Sequence, residues 1–231
     1  MNSIHYKRED AAQPPSLFPA YTSTPARSPR EPLVRIPQTL TETTGPADWE
    51  QLLGPAVADL TAQHRGMPQG QRIVVSGSVL DEDRRPVPNT VVEIWQANAA
   101  GRYIHLRDQW DAPIDPNFTG AGRVITDAAG RYRYVTVRPG AYPWGNHYNA
   151  WRPAHIHLSL MGPAFATRLV TQMYFPDDPL IRIDPIANAV PLPYRQRMVA
   201  RFDIDTTMPS WALGYRFDIV LRGREATPME R

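Results

Sequence analysis

The chain has 231 residues, enough to bury a substantial core, and its 42% hydrophobic and 21% charged content are globular values, not those of a disordered chain. Its 25 basic and 23 acidic side chains leave a formal charge of +2 and are interspersed, without the Lys/Arg-rich block that marks a nucleic-acid surface. Cysteine is absent, which excludes disulfides, thiolate catalysis and Cys-ligated zinc or iron–sulfur sites, so any metal must be held by His, carboxylate or phenolate.

The first residues, MNSIHYKREDAAQPP, hold no apolar targeting core, and no stretch approaches the ~18 apolar residues that span a bilayer. A cytoplasmic protein without membrane contact is the expectation. Residues 13–46 carry eight prolines, each fixing φ and removing a donor, so an extended arm with neither helix nor central strand is predicted. Phe18, Tyr21, Leu33, Val34 and Ile36 favour docking of this arm onto the domain or a partner chain. In residues 48–63, Gly54 and Pro55 interrupt the helical period of Leu52, Leu53, Val57 and Leu60, giving irregular or short-helical structure. Residues 1–66 are thus read as an arm and irregular segment, and 67–231 as the globular domain.

From Arg72 onward, β-branched and aromatic runs alternate with Gly, Pro, Asn and Asp turns: RIVVSGSVLD, NTVVEIWQAN, GRYRYVTVR, AHIHLSLMG, RLVTQMYF, RMVARFDID and YRFDIVLRG. These predict an all-β fold, a β-sandwich core with long loops between its strands. The twice-occurring RFDI reads as shared strand chemistry, not a repeat.

In PAHIHLSL, His155 and His157 stand two apart on an alternating strand, so their side chains leave the same face with Cα atoms roughly 6.5–7 Å apart. Two imidazoles so placed can converge on one ion, although paired histidines also occur in ordinary hydrogen-bond networks. Upstream, PGAYPWGNHYNAWRP crowds Tyr142, Trp144, Tyr148, Trp151 and Arg152 into one loop, either folded over a pocket or capping the sandwich end. EIWQANAAGRYIH ends a strand at a Gly turn and brings Tyr103 and His105 to a sheet edge; taken alone, Tyr103 reads better as a core tyrosine.

Taken in order, WQANAAGRY, DPNFTGAGR, PGAYPW, WRPAHIH and QMYFPDDPL resemble the intradiol ring-cleaving dioxygenases. ARSPR and TETTGP in the arm resemble the branch that acts on protocatechuate as a hetero-oligomer, not the catechol enzymes with their helical N-terminal region. The resemblance implies one non-haem Fe(III) per chain held by Tyr103, Tyr142, His155 and His157, with a homologous α subunit as partner and protocatechuate and O2 as substrates. The family's metal-free subunit has degenerate ligands, so an intact set points to the catalytic chain. The resemblance further makes Tyr142 the ligand that leaves when substrate chelates, while Tyr103 stays. Arg152 becomes the permanent positive group of the pocket, a salt bridge holding the loop being its other reading, and Gln172 its hydrogen-bonded neighbour. Tyr21, Trp144 and Ile186 shape the substrate pocket, with Tyr21 reaching the substrate carboxylate. Trp95 matches a tryptophan behind the ligands, though core packing is its stronger reading.

Such a ligand set suits the ion. Ferric iron is a hard acid that favours anionic oxygen, and a trivalent cation draws a phenol from its pKa near ~10 to phenolate at neutral pH. His105 would crowd a position that substrate needs and is read as structural. His147 is assigned no chemistry, and His5 and His64 are expected to face solvent. Two other readings stay open: a zinc or ferrous site of HxH with a carboxylate, and a β-sandwich binding module or non-catalytic partner subunit.

Overall fold

In the computed structural model, residues 10–34, 54–148, 151–162 and 165–230 are described. The expectations for His5, Ile36, residues 48–53 and TETTGP lie outside them.

Two sheets carry the fold. In the first, β1 (Arg72–Leu80) runs antiparallel to β4 (Arg131–Val137) on one side. On its other side β1 is parallel to β10 (Leu213–Arg216) and β11 (Ile219–Val220), and β9 (Arg201–Phe202) extends the edge beyond β10. The second sheet has the order β3-β2-β7-β8, all antiparallel, from β2 (Val91–Trp95), β3 (Ala121–Ile125), β7 (His155–Gly162) and β8 (Phe165–Tyr174). Ile73, Val75, Tyr132 and Tyr134 of the first sheet share one buried cluster with Val92, Ile94, Ile156, Leu158 and Leu160 of the second. That single core between facing sheets is the sandwich, as the alternation in these strands predicts.

Three expectations about the strands are corrected. The run 197–205 is a strand only at Arg201–Phe202, because Leu192–Met198 forms a 3-10 helix after Pro191. The run 215–223 is divided into β10 and β11, two short strands that pair with successive parts of β1. An unpredicted strand, β3, forms from AGRVI, where Gly122 leaves room for Leu60: a Cβ there would stand 2.5 Å from Leu60 Cδ1.

The arm was read as free of helix, yet α1 (Thr24–Arg27) forms there, with Pro25 in the first turn, where a missing N–H costs nothing. Thr22 and Ser23 bind it to Asn146: Thr22 N donates to Asn146 O at 2.9 Å, and Ser23 N donates to Asn146 Oδ1 at 2.8 Å. Leu33 and Val34, expected to dock, are 74% and 86% exposed on this chain. Residues 54–63 are irregular, bridging Val57 to Arg123 and Asp59 to Val135.

Candidate active site

Strand β7 has two different faces. Ile156, Leu158 and Leu160 enter the core, which turns His155 and His157 outward from the sandwich. Register supplies their neighbours: Trp95 and Gln172 flank His157, and Tyr174 flanks His155. Trp95 is therefore not in the core, as composition favoured, but stacks on His157 with ring centroids 4.8 Å apart.

Both imidazoles are oriented through Nδ1. That of His155 donates to Pro153 O at 2.7 Å, and that of His157 to Glu230 Oε2 at 2.9 Å. Each Nε2 therefore keeps its lone pair. His155 is buried, and burial, with the Arg152 charge beside it, holds its pKa well below the ordinary value, so it is neutral. Its Nε2 lies 3.2 Å from Tyr142 Oη.

Two loops bring the tyrosines to this face. Asn98 Oδ1 accepts from Ala100 N and Arg102 N at 2.9 and 3.0 Å, curling WQANAAGRY into a tight turn, while Gly140 N donates to Asn98 O at 2.9 Å. The loops touch where Gly101 has φ +80° and a Cβ would lie 2.2 Å from Ala141 O. Tyr103 and Tyr142 consequently meet edge to face, centroids 5.5 Å apart. Burial, reinforced by Tyr142, pushes the Tyr103 phenol well above its usual pKa, and its hydroxyl is buried without a well-formed hydrogen bond. His105, two residues on, is exposed, and its Nδ1 lies 3.1 Å from Arg107 N. His64 is exposed too, while His147 is buried near Trp144.

Arg152 is the centre of the polar network. Its Nε and Nη2 bind Asp184 Oδ1 and Oδ2 at 2.9 and 3.0 Å, and Nη2 also donates to Gln172 Oε1 at 2.6 Å. Nη1 faces the histidine side, 3.0 Å from His155 Nε2 and 3.3 Å from Tyr142 Oη. Burial alone would lower the guanidinium pKa; the Asp184 charge outweighs it, and the group stays protonated. Asp184 is also the N-cap of α2 (Pro185–Ala189), the helix that carries Ile186.

These side chains enclose a cavity of about 240 Å³ lined by Tyr21, Tyr142, Trp144, Arg152, His157, Gln172, Ile186 and Glu230. Tyr21 packs edge to face on Trp144, centroids 5.1 Å apart, and the arm's bonds to Asn146 hold it there. A larger cleft of about 510 Å³ lies beyond Trp95, among Glu93 and the two arginines that pair with it, Arg123 and Arg168.

Asp184, Tyr174 and Glu230 belong to the site but were not singled out from sequence. Asp184 opens DPIAN, an N-cap pattern that signals a helix start, and Tyr174 lies two residues after Gln172 on one strand face. Glu230 has no local signal. Burial would raise its carboxyl pKa, but hydrogen bonds from His157 and Gln172 outweigh burial and hold it below the usual range.

The donors on this face are two imidazole nitrogens and two phenol oxygens, a set fitted to a hard ferric ion. Among the described residues no three His, Cys, Asp or Glu side chains form a metal-binding group, and Glu230 is engaged at the Nδ1 edge of His157.

A family profile described as "Dioxygenase" matches residues 43–223, so the chain belongs to the intradiol dioxygenase family, whose enzymes work through non-haem iron. A second profile, "Protocatechuate 3,4-dioxygenase beta subunit N terminal", matches residues 6–39. The chain is 57% identical to the "Protocatechuate 3,4-dioxygenase beta chain" of Burkholderia cepacia, over 97% of this chain and 96% of that one. It is 29% identical to the alpha chain of that enzyme from the same organism, over 84% of this chain and 98% of the relative. The solved dioxygenase domain of a carbohydrate-binding fusion from Streptomyces sp. SirexAA-E shares the fold, with TM-score 0.54 at 24% identity, covering 73% of this chain and 88% of that one. The all-β expectation and the family resemblance are both borne out, and ring cleavage of the intradiol type is the activity of this chain.

Proposed function

We propose that this chain is the catalytic subunit of a cytoplasmic enzyme that opens protocatechuate between its two hydroxylated carbons, with one Fe(III) per chain held by Tyr103, Tyr142, His155 and His157. The observation that carries the reading is the convergence of two oriented imidazoles and two phenols, one with a buried and poorly bonded hydroxyl, beside a cavity sized for one aromatic ring. Identity of 57% over 97% of the chain with a protocatechuate 3,4-dioxygenase beta chain supports the substrate, and the likeness to an alpha chain supports a homologous partner subunit.

Held by Tyr103, Tyr142, His155 and His157, a ferric ion would supply the Lewis acidity that makes a catechol-type ring open to O2 without an external reductant. The protein's share is proton handling and positioning. The oxygen of Tyr142, as a phenolate, would be the proton acceptor for a substrate hydroxyl, and it lies 3.3 Å from Arg152 Nη1, which steadies it. With Nε2 of His155 committed to a metal, Nη1 would lose that acceptor and would be free to face the substrate. Arg152 then stabilises negative charge developing on the ring, and Gln172 fixes the guanidinium plane. Trp144 and Ile186 form the apolar walls, and Tyr21 offers its hydroxyl to the substrate carboxylate.

The test is a visible spectrum of the iron-loaded protein before and after anaerobic addition of protocatechuate, followed by oxygen uptake with the partner subunit present. Phenolate-to-iron charge transfer should colour the protein red-brown and shift on chelation. A colourless protein with full iron occupancy refutes the tyrosinate centre.

A further inference from the structure

Residues 226–230 leave β11 and return across the second sheet. Thr227 N donates to Val220 O, Thr171 Oγ1 donates to Pro228 O at 2.7 Å, and Glu230 N donates to Val170 O at 2.9 Å, so the segment is pinned along β8. Met229 N donates to Gln13 Oε1 at 2.8 Å, tying the same segment to the arm. These four backbone anchors place the Glu230 side chain over the histidine face.

There Oε2 accepts two hydrogen bonds, from His157 Nδ1 at 2.9 Å and from Gln172 Nε2 at 2.6 Å. Each bond settles an ambiguity. The first makes Nδ1 the donor, so that the neutral ring carries its lone pair on Nε2. The second fixes the amide of Gln172, so that its Oε1 must face Arg152. One carboxylate therefore sets the orientation of a proposed metal ligand and of the side chain that aligns the pocket's guanidinium.

We infer that Glu230 is a positioning residue for the metal centre, orienting His157 and, through Gln172, Arg152, and raising the donor strength of the imidazole by its negative charge. The inference rests on the metal-centre reading above. A carboxylate behind a metal-bound histidine holds the ring and increases its basicity, and losing one typically costs about 10–100-fold in metal affinity or activity.

Two variants separate the geometric role from the electrostatic one. Glu230→Ala removes both hydrogen bonds; Glu230→Gln keeps an acceptor oxygen and removes the charge. Each is purified with its partner subunit and measured for iron affinity by chelator competition, for its visible band, and for kcat and KM; melting of the iron-free protein controls for folding. Glu230→Ala is expected to lose about 10–100-fold in iron affinity. Glu230→Gln should recover most of that affinity, while its phenolate-to-iron band moves to longer wavelength because the weaker imidazole donor leaves iron a better acceptor. In Glu230→Ala, kcat should fall more than KM rises, since Arg152 loses alignment while Tyr21, Trp144 and Ile186 still line the pocket. If wild-type protein binds iron and Glu230→Ala matches its affinity, spectrum and kinetics, this inference is overturned alone. If wild-type protein takes up no iron, the metal-centre reading falls and the inference with it.

Discussion

Arg152 and Asp184 form a bidentate ion pair in which both side chains are almost wholly removed from solvent, 2% and 0% exposed. Two roles that looked like alternatives in the sequence are therefore combined. The pair anchors the aromatic loop to α2, and it also leaves a single arm of the guanidinium, Nη1, facing the histidines. The positive charge is already balanced by Asp184, so Arg152 acts as an aligned donor more than as a free cation.

Breaking one side of a buried pair leaves an uncompensated charge, which costs about 3–5 kcal/mol. Asp184→Asn should therefore lower the stability of the iron-free protein by that order in denaturant titration. Arg152→Lys should also fail to restore activity, because an ammonium cannot serve Asp184, Gln172 and the histidine side together. A denaturation midpoint for Asp184→Asn equal to that of wild type would show that the pair is not structurally important.

Tyr142→Phe removes a hydroxyl that lies between His155 Nε2 and Arg152 Nη1. Three of the four proposed ligands remain, so iron content should stay near wild type, while kcat falls by about 10²-fold or more through loss of the proton acceptor. Replacement of His155 or His157 should instead reduce iron content. Metal analysis beside steady-state oxygen uptake distinguishes the cases, and a Tyr142→Phe protein with unimpaired turnover would remove this tyrosine from the chemistry.

How far the site could be read from sequence depended on whether each feature was local. The two histidines were legible because period 2 is a property of the strand itself, with Ile156 and Leu158 marking the opposite face. Tyr103 and Tyr142 were ambiguous as single residues, since the turns that unite them depend on Asn98 and Gly101 meeting a loop forty positions away. Trp95 was misread although Glu93, two residues before it on the same strand face, marks that face as polar; the pairing Trp95–His157 shows which side it takes. Glu230 could not be found locally, for it reaches His157 from 73 positions along the chain. Strand β3 escaped notice because Gly122 and Arg123 weaken its pattern, and Gly122 is required by the close approach of Leu60.

Gly101 tests whether the two tyrosine loops are held as one unit. At φ +80°, with Ala141 O 2.2 Å from a Cβ, alanine is both strained and blocked. Gly101→Ala should destabilise the protein by about 2–4 kcal/mol and push the Tyr103 and Tyr142 loops apart. Lower iron affinity and a weakened visible band should accompany the drop in melting temperature. An unchanged visible band would mean that the tyrosines do not depend on this contact.

Tyr134 makes a different prediction, because it lies in the sandwich core away from the site. Its hydroxyl is fully buried without a hydrogen-bond partner, and burial raises its pKa well above the ordinary 10.0. A group whose folded pKa is raised holds its proton more tightly in the folded state, so the stability is intact below the unfolded value and is lost as pH climbs above it. Each such tyrosine should cost about 1.4 kcal/mol per pH unit above ~10. Tyr134→Phe should make the alkaline decline shallower by that amount. It should also raise stability near neutral pH by about 1 kcal/mol, since an unpaired buried hydroxyl is removed without loss of ring packing. Tyr132→Phe offers the contrast: it relieves the same alkaline penalty but breaks the 2.5 Å bond from Tyr132 Oη to Phe217 O, so it should be less stable at neutral pH. Denaturant titrations of the three proteins at neutral pH and above pH 10 decide the matter. Equal slopes for wild type and Tyr134→Phe would show that Tyr134 ionises without unfolding.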